Sequence, residues 1–270
     1  MRDSCQPITN VKHPALRRAR SLQTPAGRAQ ARQFLIEGEA MLRQALQADA
    51  GVTDAFFLEG VDVDDSLSAA LTGAQVACYS VTRGLMTKIL GTGYDTSVTA
   101  AAVTPMRLAN VDALLGLGGP LLACERIQDP RNVGVLLRTA EAGGARGLLL
   151  SADSADPFSR AAVRSSTGSI LRLPFALSDD LPADLKHMRD CGLRLIATSA
   201  HGATPISQAR LDRRCVIIVG NEAQGTSPAA RELADAVVAV PVGGGASSFN
   251  VTVAAGILLY ECSRGEREKA

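Results

Sequence analysis

Cys215-Val216-Ile217-Ile218-Val219-Gly220-Asn221-Glu222-Ala223-Gln224-Gly225-Thr226-Ser227-Pro228 reads as a buried strand, a glycine-bracketed polar turn and a helix start, in that order. The run 215–219 leaves no polar face for solvent, so it belongs in a parallel sheet covered on both sides. Ser227-Pro228 supplies a capping hydroxyl and a first-turn proline. Gly220 and Gly225 allow backbone amides to approach a ligand closely. The turn is not G-x-G-x-x-G, because Glu222 stands where the second glycine would be. A carboxylate there would repel a pyrophosphate, which argues against a dinucleotide-dependent oxidoreductase. A ligand with cationic or hydroxyl character fits better.

Working outward, the second half alternates apolar strands at 121–124, 147–150, 170–173, 193–197, 215–219 and 236–240 with helical stretches. Pro182 and Pro228 sit in first turns, and Gly192 ends the earlier of those helices. The first half is a smaller α/β unit. It has strands at 34–36, 55–58, 76–79 and 98–103, and a helical face of Met41, Leu42, Ala45 and Leu46. Thr82 caps a further helix that ends at Gly91. Pro105, Gly116, Gly118, Gly119 and Pro120 punctuate residues 104–120. The division predicted is a first domain at 1–106, a linker at 107–119 and a second domain at 120–270.

Two more strand ends carry polar chemistry. Cys124 runs into Glu125-Arg126-Ile127-Gln128-Asp129-Pro130-Arg131-Asn132-Val133-Gly134, and a helix starting near Asn132 carries Arg138 six residues on. Arg138 is either a side chain snorkelling to the surface or one facing the ligand crevice of a parallel sheet. Val240-Pro241-Val242 runs into Gly243-Gly244-Gly245-Ala246-Ser247-Ser248-Phe249-Asn250, followed by an apolar helix through Tyr260. Ser248 and Asn250 are either helix caps or site residues.

Composition narrows the function classes. The 270 residues hold 28 Lys+Arg and 27 Asp+Glu, a formal charge of +1, which excludes a uniformly basic nucleic-acid coat. Aromatics are 3% with no Trp, so base stacking on aromatic rings is not a widespread device. Charge is nevertheless uneven: Arg2, Lys12, Arg17, Arg18, Arg20, Arg28 and Arg32 face one acid, Asp3, within residues 1–36. Such an arm is either a solvated helix surface or a phosphate contact. The six cysteines form no C-x-x-C pair, and His13, His187 and His201 are isolated, so no metal site is legible. No signal-peptide core and no 18-residue apolar run is present, which predicts a soluble, cytoplasmic protein without membrane contact.

Each segment is weak alone, but the three in this order resemble the motifs of the SpoU branch of the SPOUT RNA methyltransferases. Asn132, Gly134 and Arg138 match N-x-G-x-x-x-R, and Gly220, Glu222 and Gly225 match G-x-E-x-x-G. Val240-Pro241-Val242 and Ser248-Phe249-Asn250-Val251 resemble I-P-M and S-L-N-V, with apolar changes at Val242 and Phe249. Arg164-Ser165-Ser166-Thr167-Gly168 looks like the family's R-x-S-x-G. Arg17-Arg18-Ala19-Arg20 and Phe34-Leu35-Ile36-Glu37-Gly38 look like the start of its L30e-like RNA-binding domain.

The resemblance implies a parallel-sheet methyltransferase domain with a C-terminal trefoil knot around 215–250, behind a smaller L30e-like α/β domain. It implies transfer of methyl from S-adenosylmethionine to a ribose 2′-hydroxyl. The target implied is 23S-type rRNA rather than tRNA, since the separate N-terminal domain is typical of rRNA enzymes. It implies a homodimer through the 249–264 helix, with Val253, Ile257 and Tyr260 on one face. By the same carry-over the cofactor contacts are Gly220, Glu222, Gly225, Val240, Val242 and Phe249. The catalytic set is Arg138, Asn132, Glu222, Ser248 and Asn250, with Arg138 binding phosphate and stabilising the developing alkoxide. Arg17, Arg18, Arg20 and Arg164 are the implied RNA contacts. The alternatives are a catalytically inactive RNA-binding relative and a resistance-conferring rRNA methyltransferase.

Overall fold

The computed structural model describes residues 5–92, 97–199, 204–209, 211, 214–245 and 247–267. Arg2 and Asp3 of the basic arm, His201 and Ala246 lie outside the described residues. The chain divides into two compact units. The first extends to Arg107 and takes in Phe158–Arg172; the second comprises Leu108–Pro157 and the chain from Leu173 onward.

In chain order the first unit contributes β1 (Gln6–Ile8), α1 (Pro14–Ser21), α2 (Pro25–Ala31), β2 (Gln33–Glu37), α3 (Glu39–Gln47), β3 (Asp54–Leu58), α4 (Asp65–Gly73), β4 (Ala77–Val81), α5 (Arg83–Leu90) and β5 (Ala100–Pro105). The second unit follows with α6 (Val111–Leu115), β6 (Leu121–Cys124), α7 (Pro130–Ala142) and β7 (Gly147–Ser151). The chain then returns to the first unit for α8 (Arg160–Ser166). It completes the second with β8 (Phe175–Ser178), α9 (Leu181–Asp190), β9 (Arg194–Thr198), β10 (Thr204–Pro205), β11 (Cys215–Val219), α10 (Pro228–Leu233), β12 (Ala236–Ala239) and α11 (Val251–Arg267).

The first unit is a mixed sheet of order β1-β4-β3-β5-β2, with β5 antiparallel to both neighbours. Leu16, Phe56, Met86 and Ile89 fill one core face. Thr82 caps α5 by accepting from Leu85 N, and Gly91 ends it in the left-handed region at φ 64°. Beneath the basic arm lies one buried carboxylate: Asp54 is 1% exposed and is paired with Arg18. Arg28 is also buried, and its Nη1 donates to the Leu22 and Gln23 carbonyls. These two arginines are tied into the fold. Arg17 and Arg20 are exposed.

Segment 158–172 joins this unit through an aromatic and an ionic contact. The Phe158 ring lies 5.0 Å from that of Phe34, centroid to centroid. Arg160 forks onto both oxygens of the Glu37 carboxylate, whose side chain is 6% exposed, and Arg164 Nη1 stands 3.6 Å from Oε2. The strand expected at 170–173 is not formed. Thr167 and Gly168 adopt left-handed conformations at φ 48° and 94°, and a 3-10 turn over Ser169–Leu171 follows. Arg172 turns to Gln44 Oε1 at 2.6 Å, and Pro174 has no N–H for a ladder, so pairing begins at Phe175 opposite Leu148.

The second unit is a seven-stranded sheet of order β10-β12-β9-β11-β6-β7-β8, every pair parallel. Every residue of β6, β7 and β11 is buried, as expected for strands covered on both faces. The chain builds outward from β6 to β8, then crosses to β9 on the other side, and β11 inserts between β9 and β6. The winding direction changes there, so the loops leaving β6, β9, β11 and β12 converge at one switch point. Helix α7 begins at Pro130, two residues before the expected start, because Asp129 accepts from Arg131 N as its cap. Helix α11 covers 251–267 rather than 249–264, because Asn250 Oδ1 accepts from Thr252 N at 2.9 Å. It packs on α7 and β11. That approach needs small residues: a Cβ on Gly143 would lie 2.7 Å from Leu259 Cβ, and one on Gly256 would touch Thr139 Cγ2 at 3.4 Å. Among the described residues no helix is long and apolar enough to cross a membrane, and no group of His, Cys, Asp and Glu could hold a metal.

Candidate active site

The site begins with a backbone kink. Arg126, just beyond β6, sits at φ 54°, a left-handed conformation uncommon for a residue with a side chain. Three contacts hold it there. Its N–H donates to Ser151 Oγ at 2.8 Å, its carbonyl accepts from Asn221 Nδ2 at 2.9 Å, and its Nη1 donates to Gln224 Oε1 at 3.2 Å. Beside it Glu125 is 6% exposed and accepts from Ser227 N at 2.8 Å. That carboxylate fixes the N-terminus of α10, a position where negative charge is favoured. The loops after β6 and β11 are therefore cross-linked by polar contacts in both directions.

Glu222 makes the densest part of that link. Its Oε1 accepts from Asn132 Nδ2 at 2.8 Å and from Asp129 N at 3.3 Å, and its Oε2 accepts from Gln128 N at 3.2 Å. Two of these donors are backbone N–H groups of the loop that leads into α7, and the third is a side chain in its first turn. Asn132 Oδ1 in turn accepts from Asn250 Nδ2 at 3.4 Å, joining the head of α11 to the same chain of contacts. Partial burial opposes ionisation of Glu222. The hydrogen bonds from Asn132 and from the backbone of Glu222, Gln128 and Asp129 outweigh it and hold the carboxyl below its ordinary range.

Behind this polar rim is a cavity of about 510 Å³, within the size range of small-ligand sites. Gly220, Glu222, Gly225, Val240, Val242, Ser248, Phe249 and Asn250 all line it. Val219, Val238, Val240 and Val242 give it an apolar wall, and the turn 220–226 gives it backbone amides. Only glycine fits at 220: a Cβ there would lie 2.2 Å from the Gly225 carbonyl carbon and the Thr226 nitrogen. Asn250 both caps α11 and donates to Asn132. Ser248 is exposed at the cavity.

Asn132 stands outside the cavity lining but is joined to it through Glu222 and Asn250. Arg138 stands apart from both. It is exposed on α7, about 9 Å along the helix axis from Asn132, and among the described residues its guanidinium has no hydrogen-bond or ion-pair partner. Arg17, Arg18, Arg20 and Arg164 belong to the first unit. Arg18 and Arg164 are engaged with Asp54 and Glu37 there. Sequence reasoning missed Glu125, Asn221, Thr198, Ser199 and Arg231. A usable signal existed for Glu125, an acid directly beyond an apolar strand. Thr198, Ser199 and Arg231 carry no local pattern.

Comparison with known proteins gives a consistent picture. Residues 120–260 match the SpoU rRNA Methylase family, and residues 5–115 match the thiostrepton-resistance methylase N terminus. An uncharacterized tRNA/rRNA methyltransferase of Synechocystis is 34% identical over 258 residues, covering 95% of this chain and 93% of its own. The crystal structure of an AdoMet-bound rRNA methyltransferase from Sinorhizobium meliloti superposes with a TM-score of 0.85 at 25% identity, over 97% of this chain and 98% of that one. The SpoU methyltransferase AviRb from Streptomyces viridochromogenes, in complex with AdoMet, gives a TM-score of 0.84 at 25% identity, over 95% and 99%.

The lowered Glu222 pKa carries a pH signature. A depressed folded-state value contributes stability above the ordinary value of 4.5, and that stability is lost as pH falls through the folded value. Glu222→Gln should therefore melt below wild type at pH 7, and the gap should close as pH drops beneath 4.5. Thermal melts of both proteins across that range measure it; a gap that stays constant with pH would rule out the charged hydrogen-bond role.

Proposed function

The chain belongs to the SpoU rRNA methylase family and is an S-adenosylmethionine-dependent RNA 2′-O-ribose methyltransferase; within that family we propose that it modifies 23S-type ribosomal RNA, in the cytoplasm. The observation that carries the reading is the Asn132–Glu222–Asn250 chain of hydrogen bonds at the mouth of a valine-walled cavity on the sheet's switch point. Support for rRNA comes from the likeness to rRNA methyltransferases, which spans nearly the whole chain, first unit included. The β11–β12–α11 segment, with β11 inserted between β9 and β6, is where the proposed trefoil knot would form.

The cavity's residues fit the cofactor: a flat apolar wall suits the adenine, backbone amides suit its polar edge, and a fixed carboxylate suits its positive charge. When bound, S-adenosylmethionine supplies an electrophilic methyl group on a sulfonium. The chain's own task is to place a ribose 2′-oxygen in line with that methyl and to assist loss of the hydroxyl proton. Glu222, bonded by Gln128, Asp129 and Asn132, holds Asn132 and through it Asn250 in fixed orientation at the mouth. Ser248 meets the ribose there. Arg138 is unsuited to remove the proton, since a guanidinium stays charged. Its uncommitted fork instead binds the adjacent phosphate and stabilises the developing alkoxide.

Methylation of bulk rRNA tests the activity and the role of Arg138 together. Wild type should place a 2′-O-methyl group at a defined rRNA position. Arg138→Ala should bind S-adenosylmethionine almost normally while its single-turnover rate falls by about 10²–10³. Cofactor binding without any transfer by wild type would support the inactive RNA-binding alternative. A near wild-type rate in the variant would make the first motif structural.

RNA capture is assigned to the first unit. Arg17→Ala and Arg20→Ala together should flatten the slope of log K against log[salt], by up to about one unit per lost phosphate contact. An unchanged slope would return both side chains to an ordinary solvated surface.

The active form is proposed to be a homodimer through α11. Val253 and Tyr260 are 46% and 57% exposed on the face that also carries Ile257, an unusual display of apolar surface. Sedimentation should give a dimer at micromolar concentration that Tyr260→Lys dissociates; a monomer with full activity would remove the assignment.

A further inference from the structure

One charged cavity residue belongs to none of the three motifs. Among the described lining residues Glu222 is the one acid and Arg231 the one base. They are held by different partners. Glu222 is bonded to the loop after β6. Arg231, on α10, donates Nη1 to the Thr226 carbonyl at 2.5 Å, and Thr226 Oγ1 donates to the Thr198 carbonyl at 2.8 Å, beside the end of β9. In the sheet β11 separates β9 from β6. Among the described residues the Thr226 carbonyl is the only partner of this guanidinium, so Nε and Nη2 are uncommitted. A half-buried cation with idle donors, in a cavity with an apolar wall, is costly until an anion meets it.

We propose that Arg231 clamps the α-carboxylate of S-adenosylmethionine and sets the site's preference for the amino-acid end of the cofactor. The inference rests on the cofactor reading given above. The cofactor has a single anionic group. Its adenine is neutral and flat and suits the valine wall, while its methyl must face the Asn132 and Asn250 mouth. The carboxylate is then the group whose charge suits Arg231, the one base of the lining, and a planar guanidinium matches a carboxylate with two parallel hydrogen bonds. The bond to Thr226 fixes the fork in advance, so little side-chain freedom is lost on binding.

Calorimetry on the full chain separates this role from a structural one, using S-adenosylmethionine and 5′-methylthioadenosine, which keeps the adenosyl group but lacks the carboxylate. Wild type should bind both, the former more tightly. Arg231→Ala should weaken S-adenosylmethionine by about 10–100-fold, the range for a lost charge-assisted hydrogen bond. Its affinity for methylthioadenosine should stay within about twofold, which also shows the cavity intact. Arg231→Lys should restore part of the loss. Equal weakening of both ligands would mean that Arg231 only shapes the turn, and unchanged S-adenosylmethionine affinity would also overturn the proposal. Wild type binding neither ligand would instead bring down the cofactor reading itself.

Discussion

The second unit turns on one carboxylate placed at the entry to a helix. Glu222 reaches from the loop after β11 to Gln128, Asp129 and Asn132, and so joins two strands' loops to α7. The bonds are mutual in effect. The donors keep Glu222 ionised, and the ionised carboxylate fixes the backbone that leads into α7. Everything upstream of that contact has to be small or exact in direction. Gly220 must lack a Cβ so that Thr226 can fold back over it, and Glu125 must hold Ser227 so that α10 starts at the right place. The site is thus made by loops but aimed by the sheet, because β11 lies between β9 and β6 and brings its loop to the switch point.

Much of this was legible where the cause is local. Strands 121–124 and 215–219 were readable because burial on both faces demands unbroken apolar runs, and the structure places β6 and β11 at those residues. Thr82 with Gly91, and Ser227 with Pro228, were readable because caps act within one turn of the helix they bound. Segment 170–173 misled for the same reason. It has the hydrophobicity of a strand, but Gly168 and Pro174 on either side decide its conformation. In the site, the glycines and polar residues of the three loops were visible as a pattern, and the structure gathers those of the second and third around one cavity. The network that fixes them was not visible. Asn221 to Arg126, Glu125 to Ser227 and Asn250 to Asn132 are pairings between loops far apart in sequence, and no periodicity encodes them.

The basic arm shows how a charge count becomes specific only in three dimensions. Arg28 donates its guanidinium to two carbonyls, and Arg18 pairs with the buried carboxylate of Asp54 at the start of β3. Removing either leaves buried polar groups unpaired, a cost of the fold rather than of any ligand. Arg17 and Arg20 lie on the exposed side of the same helix. A run that reads as one electropositive stretch is therefore two populations. Only the exposed one has charge to offer a phosphate without first breaking an internal contact.

The boundary between the units also differs from a cut in the sequence. The linker at 107–119 is where composition changes, yet Phe158–Arg172, well beyond it, is part of the first unit. Two features make that segment more than a passing loop. Phe158 packs at a tilt against Phe34, and Arg160 and Arg164 pair with Glu37, whose side chain is almost sealed from solvent. A fragment ending at the linker would keep Glu37 and lose both of its cations. The carboxylate would then be left without its cationic partners, and Phe34 would lose its aromatic neighbour. The first unit is therefore complete only when the second half of the chain has supplied α8, and its stability depends on residues that a linear reading assigns to the other domain.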